Sequence, residues 1–194
     1  MGIELPEDST PLDPDEAEGL IPALSLQSEL NEFEALNIAE AVLWAERSRK
    51  VRAELLTQEV LRLIHQRMFH RTWRWAGKYR QTQKSLGVES WRIASETQNL
   101  LEDARCWIEQ SVYGLDEICA RFHHRLVCIH AFPNGNGRHA RLVADLLATH
   151  LGIDIFTWGS ANLVATGDVR RAYIDALRAA DAHDVAPLLS FIRS

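Results

Sequence analysis

Lysine and arginine are missing from the first 46 residues of this chain, which hold 12 acids. Residues 47–194 carry 15 acids against 21 Lys and Arg, so the net charge of −6 hides an acidic end and a mildly basic body. A basic body suits a nucleotide ligand, but it is too weak to argue for nucleic-acid binding. No apolar run approaches the ~18 residues that a membrane helix needs, so no membrane span is expected. The N-terminus lacks the basic-then-apolar pattern of a signal peptide. The three cysteines, Cys106, Cys119 and Cys128, have no metal-type spacing. So sparse and odd a count suits free thiols in a reducing cytosol, and a cytoplasmic location is expected. Neither an internal repeat nor a low-complexity segment is present.

What is present is helical periodicity in a chain long enough for one domain with a core of its own. Residues 1–24 read as an acidic N-terminal arm, and 25–194 as a single domain that begins with a helix. That first helix starts at Ser25 or Ser28, with Ser28 as N-cap, and turns Leu30, Phe33, Ile38, Val42 and Leu43 inward. A second covers 57–69 with Val60, Leu61, Ile64 and Met68 buried. Two tryptophans, Trp73 and Trp75, beside Gly77 mark an aromatic corner. Lys78, Tyr79, Arg80, Gln81, Thr82, Gln83, Lys84, Ser85, Leu86, Gly87 and Val88 lack a helical period and read as a short β-hairpin or flap. Helices follow over 96–110, 115–129, 138–151, 166–180 and 184–192. The stripe Leu115, Ile118, Cys119, Phe122, Leu126 and Ile129 makes the helix over 115–129 central and buried. The expected fold is all-α with one small hairpin.

One stretch is denser in chemistry than any other: His130-Ala-Phe-Pro-Asn-Gly-Asn-Gly-Arg-His-Ala-Arg141. Gly135 and Gly137 bracket Asn136 and allow a tight turn with exposed N–H groups. The helix that follows offers its dipole and unpaired amides, which together favour an anion. Arg138 and Arg141 lie three apart on one face and suit phosphate oxygens. His130 supplies a base that can be neutral at pH 7. His123, His124, His130 and His139 do not read as a zinc site: His123 and His130 are roughly 10 Å apart by helix rise, and His-x-x-x-His is absent. Arg170-Arg171 reads as a surface pair, and Ser160-Ala-Asn162 as a lining for a nucleotide pocket.

The stretch resembles the motif of the Fic/Doc family, His-Pro-Phe-x-(Asp/Glu)-Gly-Asn-Gly-Arg-x-x-Arg. His130, Phe132, Gly135, Asn136, Gly137, Arg138 and Arg141 match it, while Ala131 replaces the usual Pro and Asn134 the usual acid. The resemblance covers about Phe69 to Ile192 and implies a Fic-like helical bundle; within the family, the type called mobile mystery protein B is the subgroup it suggests. It also implies adenylylation, the transfer of AMP from ATP to a Ser, Thr or Tyr hydroxyl of a target protein. His130 would then be the general base. The loop amides of residues 134–137, with Asn136 and Arg138, would hold phosphate charge, and Arg141 would reach the terminal phosphate. The family's acid at position 134 binds Mg²⁺; an asparagine there would hold the ion weakly. Residues 78–88 would be the flap that lays the target's chain beside the site by main-chain pairing.

Two other readings stand beside this one. The chain would be a nucleotide-binding module of weak turnover, or the toxin component of a pair regulated by an antitoxin. In many members a helix carrying Ser/Thr-x-x-x-Glu-(Gly/Asn) inhibits the site. Ser28 to Glu32 fits its first five positions, as does Ser25 to Glu29, each followed by a bulky residue.

Overall fold

The computed structural model describes residues 14–23, 26–160 and 167–194. Side-chain caps set several helix starts. Helix α1 spans Pro14–Ala17 and α2 spans Gln27–Arg47. The Leu26 amide, just before α2, donates to the Glu29 carboxylate at 3.1 Å. Ser28 therefore lies inside the first turn, exposed, and is not the N-cap; Ser25 lies outside the described residues. Ser48 and Thr57 do act as caps, each accepting from the amide three residues on at 3.3 Å. They open α3 (Arg49–Glu54) and α4 (Gln58–Phe69). A 3₁₀ turn at Ser90–Arg92 leads into α5 (Ile93–Glu109). Then come α6 (Leu115–Ile129), α7 (Asn136–His150), α8 (Asp168–Asp181) and α9 (Ala186–Ile192).

The bundle is organised around the antiparallel neighbours α6 and α7. Helices α5 and α9 pack on α6, α4 packs on α7, and α2 lies along α4. Ala140, Ala144 and Ala148 are fully buried at a spacing of four along α7, which lets a neighbouring helix approach closely. Val60, Leu61, Ile64 and Met68 of α4 fill the core as their spacing predicts, with Leu100 and Leu101 of α5 and Ile118 and Phe122 of α6. Each such side chain stabilises the fold by about 1.5–3 kcal/mol.

Helix α2 departs from its expected face. Its buried stripe is Leu30, Glu34, Asn37, Ala41 and Ala45, while Leu43 is exposed. Two polar residues enter the stripe because both have buried partners. Asn37 donates to Thr72 Oγ1 at 3.1 Å, and Glu34 accepts from Trp73 Nε1 at 2.6 Å. Trp73 and Trp75 stack 5.0 Å apart, and the end of the arm lies against them. Leu20 bridges Trp73, the Ile21 amide donates to Thr72 O, and Trp75 Nε1 donates to Glu16 O.

The β-hairpin does not form: no strand occurs among the described residues. Residues 78–88 spend their pairing capacity elsewhere. The Arg80 amide donates to Ala131 O at 3.0 Å and the Val88 amide to Ile129 O at 3.4 Å, so the backbone amides of both ends pair with the α6–α7 turn rather than across a hairpin. No described helix is long and apolar enough to cross a membrane.

Candidate active site

The α6–α7 turn begins at His130, which caps α6 in the left-handed region at φ 51°. An L-residue there is strained and persists only where its surroundings hold it. Arg80 supplies the hold. It is 1% exposed, and its guanidinium donates to His130 O at 2.6 Å, to Thr82 O at 2.9 Å and to Val88 O. Gly87, at φ +94°, passes so close that a Cβ would lie 2.6 Å from His130 Cβ. Burial, and then the charges of Arg80 and Lys84, push the His130 imidazole down to about 4. It is neutral at pH 7, free of the proton that a general base must accept.

Beyond His130 the turn is cross-braced. Asn136 Oδ1 accepts from the Phe132 amide at 2.9 Å and its Nδ2 donates to Phe132 O at 2.8 Å. The buried Asn136 side chain therefore closes the loop on itself rather than pointing out to a ligand. Phe132 stacks on His65, ring centroids 3.7 Å apart. His65 Nδ1 accepts from the Gly77 amide, which leaves Nε2–H to donate to Asn134 O at 3.1 Å. Gly135 has φ +79°, and a Cβ there would lie 2.5 Å from the Phe69 ring, so only glycine fits.

Helix α7 starts at Asn136, so the amides of Asn136, Gly137 and Arg138 fall in a first turn that has no intrahelical acceptor for them. Gly137 leaves that side open: a Cβ would meet nothing nearer than Arg141 Nη1 at 3.8 Å. Arg141 lies over the Tyr173 ring, 5.5 Å from its centroid, and Tyr173 OH bonds His123 Nε2 at 3.0 Å. Burial first, then Arg141, holds His123 down to about 3. Arg138 Nη1 bonds the Glu34 carboxylate at 2.5 Å, with the guanidinium over Phe69. The turn thus brings His130, Asn134 to Arg138 and Arg141 to one helix end. Ser28, Glu29 and Glu32, which fit part of the inhibitory pattern, are all exposed; the α2 carboxylate that arrives is Glu34.

Asn134 Oδ1 accepts from the Gly135 amide at 2.5 Å and lies 3.5 Å from Arg138 Nη2. It is a neutral oxygen, already used and beside a cation, which does not fit the anionic oxygens Mg²⁺ prefers. The only acid described at the cradle, Glu34, is paired with Arg138 and Trp73.

In the flap, Lys78, Gln81, Gln83, Ser85, Leu86 and Gly87 are exposed, while Tyr79, Thr82 and Val88 are half-buried. Lys84 pairs with Glu16 of the arm in a nearly buried ion pair, and Thr82 Oγ1 donates to Glu16 at 3.1 Å. Composition alone marks none of Glu34, His65 or Tyr173 as belonging to the turn, and the expected apolar face of α2 left Glu34 out. Ala161 and Asn162, expected beside the nucleotide, lie outside the described residues.

The comparisons with known proteins fit this geometry. Residues 55–148 match the Fic/DOC family model. The chain is 25% identical over 170 residues to a sea anemone (Nematostella vectensis) protein named protein adenylyltransferase Fic, covering 86% of this chain and 38% of that one. It is 28% identical over 120 residues to protein adenylyltransferase fic-1 of Caenorhabditis briggsae, covering 60% and 22%. The chain thus spans well under half the length of these curated relatives. Among solved structures, the N-terminal Fic domain of a VirB-translocated effector from Bartonella quintana, determined with bound ADP, superposes with a TM-score of 0.70 at 19% identity over 89% of this chain and 87% of that one. Residues 55–148 belong to the Fic/DOC family, and the chain has the fold of Fic-domain proteins.

Proposed function

We propose that the protein transfers the adenylyl group of ATP to a hydroxyl side chain of a target protein. The observation that carries this reading is a neutral histidine, fixed in a strained conformation, at the head of a glycine-rich turn that opens onto a helix N-terminus flanked by two arginines. His130 takes the proton of the attacking Ser, Thr or Tyr hydroxyl. The oxygen bonds to the α-phosphorus, the bond from that phosphorus to the bridging oxygen breaks, and pyrophosphate leaves. The first-turn amides of α7 with Arg138 and Arg141 hold the charge on the phosphates. Asn134 and Asn136 act through the loop's shape. No step is routed through Mg²⁺, which ATP's own phosphates would have to hold for the most part. The relatives named as adenylyltransferases and the ADP-bound structural neighbour support the nucleotide and the reaction class.

Target binding falls to the flap. Without a preformed strand, it presents exposed Gln83, Ser85, Leu86 and Gly87, with Leu86 at 57% exposed and Trp91 at 80% just beyond. Exposed apolar side chains beside a site mark a surface for a partner chain.

A second reading, a nucleotide-binding module of slow turnover, is favoured by one observation: Glu34 occupies the arginine that would meet phosphate. A toxin role would show as growth arrest on expression, relieved by a partner antitoxin. The experiment that separates transfer from mere binding is intact-mass analysis of lysate proteins after incubation with the chain and ATP. An added adenylyl mass supports transfer; an added phosphoryl mass, or none, contradicts it.

A further inference from the structure

We infer that the chain carries a binding site for a zinc-class divalent ion outside the nucleotide turn, formed by His124 and Cys128 of α6 with Asp181 at the end of α8. His124 and Cys128 are four apart and share one helix face. Asp181 reaches the same point from α8: its Oδ1 lies 2.8 Å from His124 Nε2 and 3.4 Å from Cys128 Sγ. The third edge, Sγ to Nε2, is 3.4 Å. A nitrogen, a sulfur and an oxygen therefore make a triangle.

The size of that triangle carries the assignment. A tetrahedral zinc with bonds of about 2.3 Å to sulfur and about 2.0–2.1 Å to nitrogen and oxygen has ligand–ligand edges of about 3.3–3.6 Å. Two of the three edges already have that length. The third, a hydrogen bond without the ion, opens by about 0.5 Å when the metal replaces its proton. The donor set selects the ion: thiolate and imidazole suit zinc-class metals, whereas Mg²⁺ and Ca²⁺ want oxygens alone. Three protein ligands leave the fourth position to water. Cys128 and Asp181 are exposed, so the ion has a path in, and the charge of the adjacent Arg125 is held by Asp103 at 2.5 Å. Sequence spacing concealed the site, because the third ligand lies 53 residues beyond the second. An ion there ties α6 to α8 two residues before His130.

The test uses the whole chain, stripped with a chelator and titrated with Co²⁺ alone. One equivalent binds, with a thiolate-to-cobalt charge-transfer band and tetrahedral d–d bands, and Zn²⁺ displaces it. Zn²⁺ also raises the melting temperature. Cys128→Ser loses the band and the melting shift; Cys106→Ser, at the other exposed thiol, keeps both. Asp181→Asn, a conservative change at an exposed position, weakens Co²⁺ binding by about tenfold or more. Absence of a charge-transfer band in the wild type, its survival in Cys128→Ser, or unchanged Co²⁺ affinity in Asp181→Asn would each overturn the assignment.

Discussion

Glu34→Gln isolates the one contact that sets the state of the phosphate cradle. The Glu34 carboxylate accepts from Arg138 at 2.5 Å and from Trp73 Nε1 at 2.6 Å. Glutamine keeps an oxygen for the indole and removes the charge, so α2 keeps its anchor while Arg138 is released. A charge-assisted hydrogen bond is worth about 1.5–3 kcal/mol. Arg138 is 23% exposed, which calls for the lower end of that range. Phosphate no longer has to displace a carboxylate, so ATP affinity should rise about tenfold, the equivalent of ~1.4 kcal/mol. The same lost contact should lower folding stability by about 1 kcal/mol. Calorimetric titration with ATP reads the first effect and urea unfolding the second. Glu32→Gln, an exposed change on the same helix, should do neither. Unchanged ATP affinity in a folded Glu34→Gln protein, or an equal gain in Glu32→Gln, would refute the competition.

Three further outcomes follow from the same geometry. Gly87→Ala drives a Cβ into His130 Cβ and Ile129 O at a positive φ, and should cost about 1–3 kcal/mol of stability together with most of the activity; an unchanged urea midpoint would contradict the tight approach. Asn134→Asp should tighten Mg²⁺ binding and raise transfer at sub-millimolar Mg²⁺ by a few-fold to about a hundredfold, on the order of 1–3 kcal/mol for one charged contact; a variant slower at every Mg²⁺ concentration defeats that idea. Burial holds His65, His123, His130 and His139 below the ordinary histidine value, the last three at about 3, 4 and 4. The unfolded chain binds protons from about pH 6.5 that the folded chain refuses, so stability is fully present above that pH and falls as pH drops toward 4, by about 1 kcal/mol per histidine in the first unit. Urea midpoints that stay flat from pH 7.5 to 5.5 would contradict it.

The helices were legible because their apolar residues recur at the helical period, and Val60, Leu61, Ile64, Met68, Ile118 and Phe122 are all buried. The turn was legible because glycine, histidine and arginine concentrate in twelve residues. What escaped was long-range pairing. Arg80 reads as a surface cation until its three carbonyl acceptors are seen, and those carbonyls replace the cross-strand bonds of a hairpin. Glu34 reads as a solvated acid until Trp73 and Arg138 converge on it, 39 and 104 residues away. Asn136 reads as a ligand-facing amide, yet local hydrogen bonds to Phe132 consume it.

The central claim is that His130 drives adenylyl transfer rather than merely lining a nucleotide site. It is tested by incubating wild-type and His130→Ala protein with a target-containing lysate and ATP labelled at either the α- or the γ-phosphate, alongside an ATP titration of both proteins. Label from the α-phosphate alone should appear on a target with wild type and fall by at least about 10²-fold in the variant, while ATP affinity stays nearly unchanged. Label from the γ-phosphate, or a His130→Ala protein that labels as fast as wild type, would contradict the account.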